Sequence, residues 1–179
     1  MNGYEQEIII IPGEYVESIM VPAAEHEAGH IIAAHHLNAR GLGIAVGFLP
    51  DRSQQGMFLQ ALYGWKHASV ETKCVVLAAG PAADILFRGG LNELGASGDL
   101  QDIEALTGQA SFGPFLGLAK NVLAPYTSEF SCISEALRRS FEMKAERNLE
   151  LLPTGHVGTL LLDEAQLMRC LSKGPSQTP

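Results

Sequence analysis

The sequence has few basic residues for its length of 179 residues. Its 12 lysines and arginines are outnumbered by 20 aspartates and glutamates, which gives a formal net charge of −8 at pH 7. A protein that binds nucleic acid needs a basic face to neutralise the phosphates. The composition therefore predicts no nucleic-acid partner.

Cysteines and long apolar runs are also scarce. The three cysteines, Cys74, Cys132 and Cys170, lie far apart and form no C-x-x-C pair. This pattern predicts reduced, buried thiols, and neither a zinc knuckle nor a disulfide framework. No run reaches the roughly 18–20 apolar residues that cross a bilayer, and the N-terminus lacks the basic segment of a signal peptide. We therefore expect a soluble, cytoplasmic protein.

Hydrophobic residues, in contrast, are plentiful. They make up 46% of the chain, which suffices for a core without disulfide cross-links. The length suits one domain, and we predict that this domain covers residues 1–172 and that a disordered tail follows at 173–179. The pattern of helical and strand-like segments predicts a mainly α (α+β) fold.

The first half of the chain is predicted to form two helices and a small sheet. A helix begins near Pro22, a favourable first-turn residue, and ends near residue 38. Strands over Ile44–Leu49 and Gly56–Leu62 form a hairpin through the polar residues between them. A second helix covers Lys66–Arg88, and Gly80-Pro81 inside it predicts a kink or a break. The sheet is therefore inserted between the two helices.

The second half is predicted to be helical. Gly89–Gly98 is rich in glycine and predicts a loop, and a third helix is expected to begin near Asp99, because a carboxylate suits a helix N-terminus. Further helices are predicted over Glu129–Leu151 and Asp163–Leu171. Near the N-terminus, the apolar run Ile8–Ile11 predicts a strand or a docked arm.

The first predicted helix contains a candidate metal motif. His26-Glu27-Ala28-Gly29-His30 fits the pattern H-E-x-x-H. Residues i and i+4 lie about 40° apart on one helical face, so both imidazoles can reach one tetrahedral zinc ion. Glu27 is offset from the pair and is the candidate general base for hydrolysis by a zinc-activated water. The alternative is that the two histidines are structural and share this spacing by chance. A glycine costs about 1 kcal/mol in a helix interior, so Gly29 indicates close packing by another element.

Spacing defines the third ligand less well. His36 lies where a metzincin's third histidine falls, but Ala33 stands where that arrangement needs a glycine. A continuous helix also turns His35 and His36 away from His30. Acidic candidates lie further along the chain at Glu71, Asp84, Glu93, Asp99, Asp102 and Glu104. Asp99 is the strongest, because it follows a Gly-Ala-Ser-Gly segment whose backbone can come close to the metal. Spacing alone leaves open whether Asp99 binds metal or caps a helix.

Three segments occur in a recognisable order. They are HEAGH at His26–His30, LAAGPAADILFRG at Leu77–Gly89 and GASGDLQDIEAL at Gly95–Leu106. Together they resemble the peptidase domain of FtsH-type ATP-dependent zinc metalloproteases. The resemblance implies a helical, zincin-like domain with its zinc-site core at residues 22–106 and a helical C-terminal part at 114–172.

The resemblance also implies a site and an activity. His26 and His30 match the family's histidine ligands, Asp99 matches its third ligand and Glu27 matches its catalytic base. The implied cofactor is Zn²⁺, and the implied activity is that of a zinc metalloendopeptidase. The edge of the family's small sheet holds an extended substrate. In this sequence Asp84 replaces a glutamate of the family pattern.

The motor of that family is not recognisable here. No Gly-Lys pair occurs in the sequence, so there is no Walker A loop. We therefore expect a peptidase domain that cleaves unfolded polypeptides or peptides, works beside an ATPase on a separate chain and forms a homo-oligomer. The alternative is a catalytically weak or inactive peptidase-like module that binds or regulates. Glu27 favours the peptidase, whereas Gly98 beside Asp99 departs from the family's loop and favours the module. His67 and His156 are predicted to be structural or surface histidines, with His156 a weaker candidate for substrate contact.

Overall fold

The computed structural model describes residues 21–48, 57–146 and 159–172. The predicted N-terminal strand Ile8–Ile11, the loop that carries His156 and the predicted tail at 173–179 lie outside the described residues. Within them the chain is mainly helical with a small antiparallel sheet, which confirms the predicted mainly α (α+β) class.

Seven α-helices are formed by the described residues. They are α1 (Val21–His36), α2 (Val70–Leu77), α3 (Ala79–Ala83), α4 (Glu93–Thr107), α5 (Gly113–Leu123), α6 (Thr127–Glu146) and α7 (Glu164–Leu171). A π-helical turn (Asp84–Arg88) continues α3, and a 3-10 turn (Ala124–Tyr126) joins α5 to α6. The break between α2 and α3 has a simple cause. Pro81 has no N–H to donate to the carbonyl of Leu77, where α2 ends.

The sheet has the order β2-β1-β3. Its strands are β1 (Arg40–Phe48), β2 (Met57–Gly64) and β3 (Thr159–Leu162), and β1 pairs antiparallel with both neighbours. The predicted antiparallel strands are confirmed as β1 and β2, and the residues that connect them lie outside the described ranges. The sequence analysis did not predict β3. Among the described strands, β2 therefore forms one edge of the sheet.

Helix α1 passes through the middle of the core. Its residues Ile31, Ile32, Ala33 and Ala34 have no exposed surface. A helix that is apolar on all sides is a buried helix, and α1 packs against α3, α6 and β2. The H-E-x-x-H motif is therefore carried by a helix that lies largely within the core.

The predicted loop before Asp99 is wrong over most of its length. Helix α4 begins at Glu93, because the side chain of Asn92 caps it and accepts a hydrogen bond from the Gly95 amide. The glycines at 95 and 98 lower helix propensity, but they do not prevent the helix here. Asp99 thus lies in the second turn of α4 and is not its N-cap.

The prediction of reduced thiols is also wrong for two of the three cysteines. Cys132 on α6 and Cys170 on α7 form a disulfide with their Cα atoms 5.5 Å apart, and only Cys74 is a free, buried thiol. The two residues are 38 positions apart in sequence, so only the packing of α6 on α7 brings them together. Disulfides persist mainly in oxidising compartments, so cysteine content no longer supports a cytoplasmic location. No helix in the described ranges has the length and apolar character needed to cross a membrane.

Candidate metal centre

The two histidines of the motif lie side by side in the interior. His26 and His30 are one helical turn apart on α1, and their rings meet edge to face with centroids 4.9 Å apart. Both are almost completely buried, with exposed fractions of 1% and 4%. Burying two imidazoles is unfavourable unless their nitrogens have partners, so the partners of each ring show what the pair is arranged to do.

Each ring uses its Nδ1–H to hold its orientation. His26 donates to Asp84 Oδ2 at 2.9 Å, and His30 donates to the carbonyl oxygen of Val76 at 2.7 Å. A hydrogen bond from Nδ1 fixes the ring so that Nε2 is the atom available to a metal, which is the usual arrangement of histidine ligands. Both Nε2 atoms point to the same region between α1, α3 and α4.

Asp99 meets both Nε2 atoms from α4. Its Oδ2 lies 2.9 Å from Nε2 of His26 and 3.3 Å from Nε2 of His30. Ligand atoms around a tetrahedral zinc ion, each about 2.0–2.2 Å from the metal, lie about 3.3–3.5 Å from one another. The distance from Asp99 to His30 therefore matches that between two zinc ligands, and the distance from Asp99 to His26 is shortened to that of a direct hydrogen bond.

Glu27 lies at the same centre but has a different partner. Its carboxylate and the two imidazoles place ligand atoms within 4.8 Å of one another, so by distance alone Glu27 also completes a three-residue metal group. However, Glu27 Oε2 accepts a short hydrogen bond, 2.6 Å, from the backbone N–H of Ala61 on β2. Asp99 contacts both imidazoles directly, and we therefore regard it as the better third ligand.

Two glycines, which have no side chain, leave space at this centre. A Cβ atom on Gly80 would overlap the Nε2 atoms of both histidines, at 2.5 Å from that of His30, and one on Gly95 would lie 2.9 Å from Nε2 of His26. The two glycines belong to α3 and α4, which approach α1 from different sides. An alanine at either position would occupy space next to the Nε2 atoms, which a metal bound to them needs, so the residues present fit a zinc ion.

The electrostatics of the centre favour a cation. Burial lowers the pKa of His26, but its hydrogen bonds to Asp84 and Asp99 outweigh burial and raise the pKa to about 10. Burial raises the pKa of Asp99, but the neighbouring His30 and His26 outweigh it and lower the pKa to about 2. A proton held between His26 Nε2 and Asp99 Oδ2 would neutralise part of the carboxylate charge. A divalent cation would take the place of that proton.

Asp84 connects this centre to the surface. Besides His26, its carboxylate accepts hydrogen bonds from the Asn92 backbone N–H at 2.9 Å and from Arg88 Nη1 at 3.3 Å. Arg88 in turn donates from Nε to Glu25 at 2.9 Å. Asp84 has no exposed surface, and these three donors satisfy it. From the sequence, Asp84 was a candidate metal ligand, and its supporting role was not predicted.

Replacing Asp84 by asparagine is expected to weaken zinc binding by about 10–100-fold, the usual cost of losing a carboxylate that orients a histidine ligand. The affinity is to be measured by competition with a chromogenic chelator. Asp102→Asn is the matched control, because Asp102 is exposed on α4, one turn beyond Asp99. Equal zinc affinities for the two variants would contradict a role for Asp84 in orienting His26.

The remaining candidates lie elsewhere. His36 pairs with the buried Glu129 at 2.9 Å and stacks on Tyr126, and His35 packs edge to face on His36. Both point away from the centre, as helix geometry predicts. The other candidates are exposed on the surface. They are His67, Glu71, Glu93, Asp102 and Glu104.

Three groups near the centre were not predicted from the sequence. They are the carbonyl of Val76, the amide of Ala61 and the side chain of Tyr63, whose pKa is raised by burial and by the nearby charges of Asp99 and Glu27. The first two are backbone groups, which leave no mark in a sequence.

No protein-family model matches the chain, and no curated protein matches it in sequence.

Proposed function

We propose that this chain is a zinc-dependent metallopeptidase whose metal is held by His26, His30 and Asp99. One observation carries the proposal. Two buried imidazoles donate from Nδ1 to fixed acceptors, and their Nε2 atoms converge on one carboxylate oxygen. That arrangement is typical of histidine ligands with their supporting shell. The resemblance to the FtsH-type peptidase domain assigns the same three residues.

The residues of the chain divide the chemistry among them. When bound, zinc lowers the pKa of a water molecule towards 7 and polarises a carbonyl group. Glu27 Oε2 is held by the Ala61 N–H, which fixes the carboxylate and leaves Oε1 to accept a proton from the attacking water. Burial raises the pKa of Glu27, and the neighbouring His30 and His26 lower it. Burial has the larger effect, so the pKa is raised. A raised pKa suits a group that takes up this proton and then delivers it to the leaving amine.

The position of β2 supports an extended peptide as the substrate. β2 lies at the edge of the described sheet, and its Ala61 contacts the proposed base, so a peptide added to this edge would pass the metal centre. An open groove of about 540 Å³ is lined by Arg40, Gly41 and residues 60–64 of β2. We include in the proposal unfolded polypeptides or peptides as substrates, a separate ATPase as a partner, homo-oligomer formation and a cytoplasmic location.

A peptidase-like module without activity is the second candidate. One observation favours it: the polar groups of the centre are hydrogen-bonded to one another and to the backbone of β2. Asp99 pairs with His26, and Glu27 pairs with the Ala61 amide. A cluster of this kind can also be a structural feature of the core.

Metal analysis combined with a cleavage assay tests the proposal. We expect the purified chain to bind one zinc ion tightly and to cleave unfolded casein, with cleavage stopped by a chelator and restored by added zinc. Zinc bound tightly without cleavage would favour the inactive module. Cleavage that survives complete removal of the metal, or failure to bind zinc at all, would overturn the proposed mechanism.

A further inference from the structure

Tyr63 lies beside the metal centre on the edge strand. Side chains alternate between the two faces of a strand, so Leu59, Ala61 and Tyr63 share one face of β2. Leu59 is buried, and Ala61 and Tyr63 are partly buried against the core. On the opposite face Gln60 is exposed and Leu62 is partly buried. Ala61 donates its N–H to Glu27. Tyr63 therefore lies about 7 Å further along the strand than Ala61, on the face that packs against the core.

The ring of Tyr63 is held while its hydroxyl stays available. Trp65 packs against the ring edge to face, with centroids 5.2 Å apart and an interplanar angle of 62°. Among the described residues, no side chain or backbone group forms a hydrogen bond with the Tyr63 hydroxyl. This hydroxyl is thus a donor beside the metal centre that the proposed steps do not yet use.

Burial, and after it the charges around Tyr63, raise the pKa of this donor and keep it in the neutral form. The carboxylates of Asp99, Glu27 and Asp102 are its charged neighbours, and negative charge nearby disfavours the phenolate. A neutral phenol donates a hydrogen bond well and does not bind the metal as an anion. It is suited to a site where negative charge appears during the reaction.

We propose that Tyr63 is a further catalytic residue of this centre, donating a hydrogen bond from its hydroxyl to the oxyanion that forms on the scissile carbonyl. No proton is transferred from Tyr63, because the hydrogen bond strengthens as the carbonyl oxygen gains charge and weakens when the carbonyl re-forms. This inference rests on the proposed peptidase function. It deepens that function by assigning the oxyanion donor, which neither the motif nor the family resemblance supplied.

The test compares Tyr63→Phe with the wild-type chain, both loaded with zinc. Removing one oxyanion donor lowers kcat by about 10²–10³-fold, and we expect this loss with KM and zinc affinity unchanged. A phosphinic peptide that mimics the tetrahedral intermediate should lose affinity by a similar factor. A product peptide should bind both proteins equally. Tyr126→Phe is the matched control, because Tyr126 is also partly buried but stacks on His36, away from the centre.

The outcomes separate this inference from the function on which it rests. A wild-type chain that cleaves with zinc, together with a Tyr63→Phe variant whose kcat and phosphinic-peptide affinity stay within about threefold, overturns the role of Tyr63 alone. A variant that loses zinc affinity or stability in proportion to its activity overturns it as well, because Tyr63 is then structural. A wild-type chain without zinc-dependent cleavage overturns the proposed function, and the inference with it.

Discussion

Replacing Glu27 by glutamine is expected to lower peptide cleavage by about 10²–10⁴-fold, the usual contribution of a general base, while zinc stays bound. The substitution removes the group that accepts the proton and changes little else. A glutamine amide oxygen can still accept the hydrogen bond from the Ala61 N–H, so the side chain keeps its place. Zinc affinity by chelator competition and kcat on an unfolded or fluorogenic peptide measure the two effects separately.

Glu104→Gln is the control for this prediction. Glu104 is an exposed residue of α4, and the same loss of one negative charge there leaves the metal centre untouched. We expect its zinc affinity and its kcat to match those of the unmodified chain. Retention of full activity by Glu27→Gln would rule out Glu27 as the base, and joint loss of zinc and activity would show that Glu27 holds the metal instead.

The features that follow from local spacing were predictable from the sequence. Helix α1 and the shared face of His26 and His30 depend only on a rise and turn that every α-helix has. The rejection of His36 as a ligand follows from the same geometry, and the structure places His36 against Glu129. The break near Gly80-Pro81 is equally local, because a proline cannot donate the hydrogen bond that the helix needs.

The features that depend on packing between distant segments were not predictable. The disulfide joins α6 to α7, and strand β3 pairs with β1 across more than a hundred residues. Neither pairing has a signal in local composition. The glycines before Asp99 show the same limit, because their low helix propensity suggests a loop whereas the packing of α4 on α2 and α3 outweighs it. Gly95 lies in a helix, and its missing side chain leaves room for the His26 ring.

The position of Asp99 depends on both the local sequence and the packing between distant segments. Family resemblance selected it, and the sequence context suggested presentation from a helix start. The structure brings Asp99 to both histidines, but from within α4. Because the helix begins six residues earlier at Glu93, its side, rather than its end, faces the centre. The orientation of the Asp99 carboxylate is therefore fixed by the packing of α4 on α3 and α2.

Replacing Gly29 by alanine is expected to destabilise the fold by about 3 kcal/mol, at the upper end of the usual cost of overpacking. A Cβ atom at this position would lie 2.5 Å from the carbonyl oxygen of Ala79 and 2.6 Å from the Cβ of Ala83. Both obstacles belong to α3, and neither can move as a flexible side chain does. The helices α1 and α3 would have to separate, which would also displace Val76 and Gly80 from the histidines.

The control for Gly29→Ala is a substitution that should raise the free energy of unfolding instead of lowering it. Gly117 lies within α5, and a Cβ atom there would have no neighbour within 4 Å. Gly117→Ala should therefore stabilise the chain by up to about 1 kcal/mol through helix propensity alone. Urea unfolding with the disulfide kept intact measures both changes. Gly29→Ala unfolding at the same urea concentration as the unmodified chain would contradict the close contact of α1 with α3, and with it the packing that holds the metal centre together.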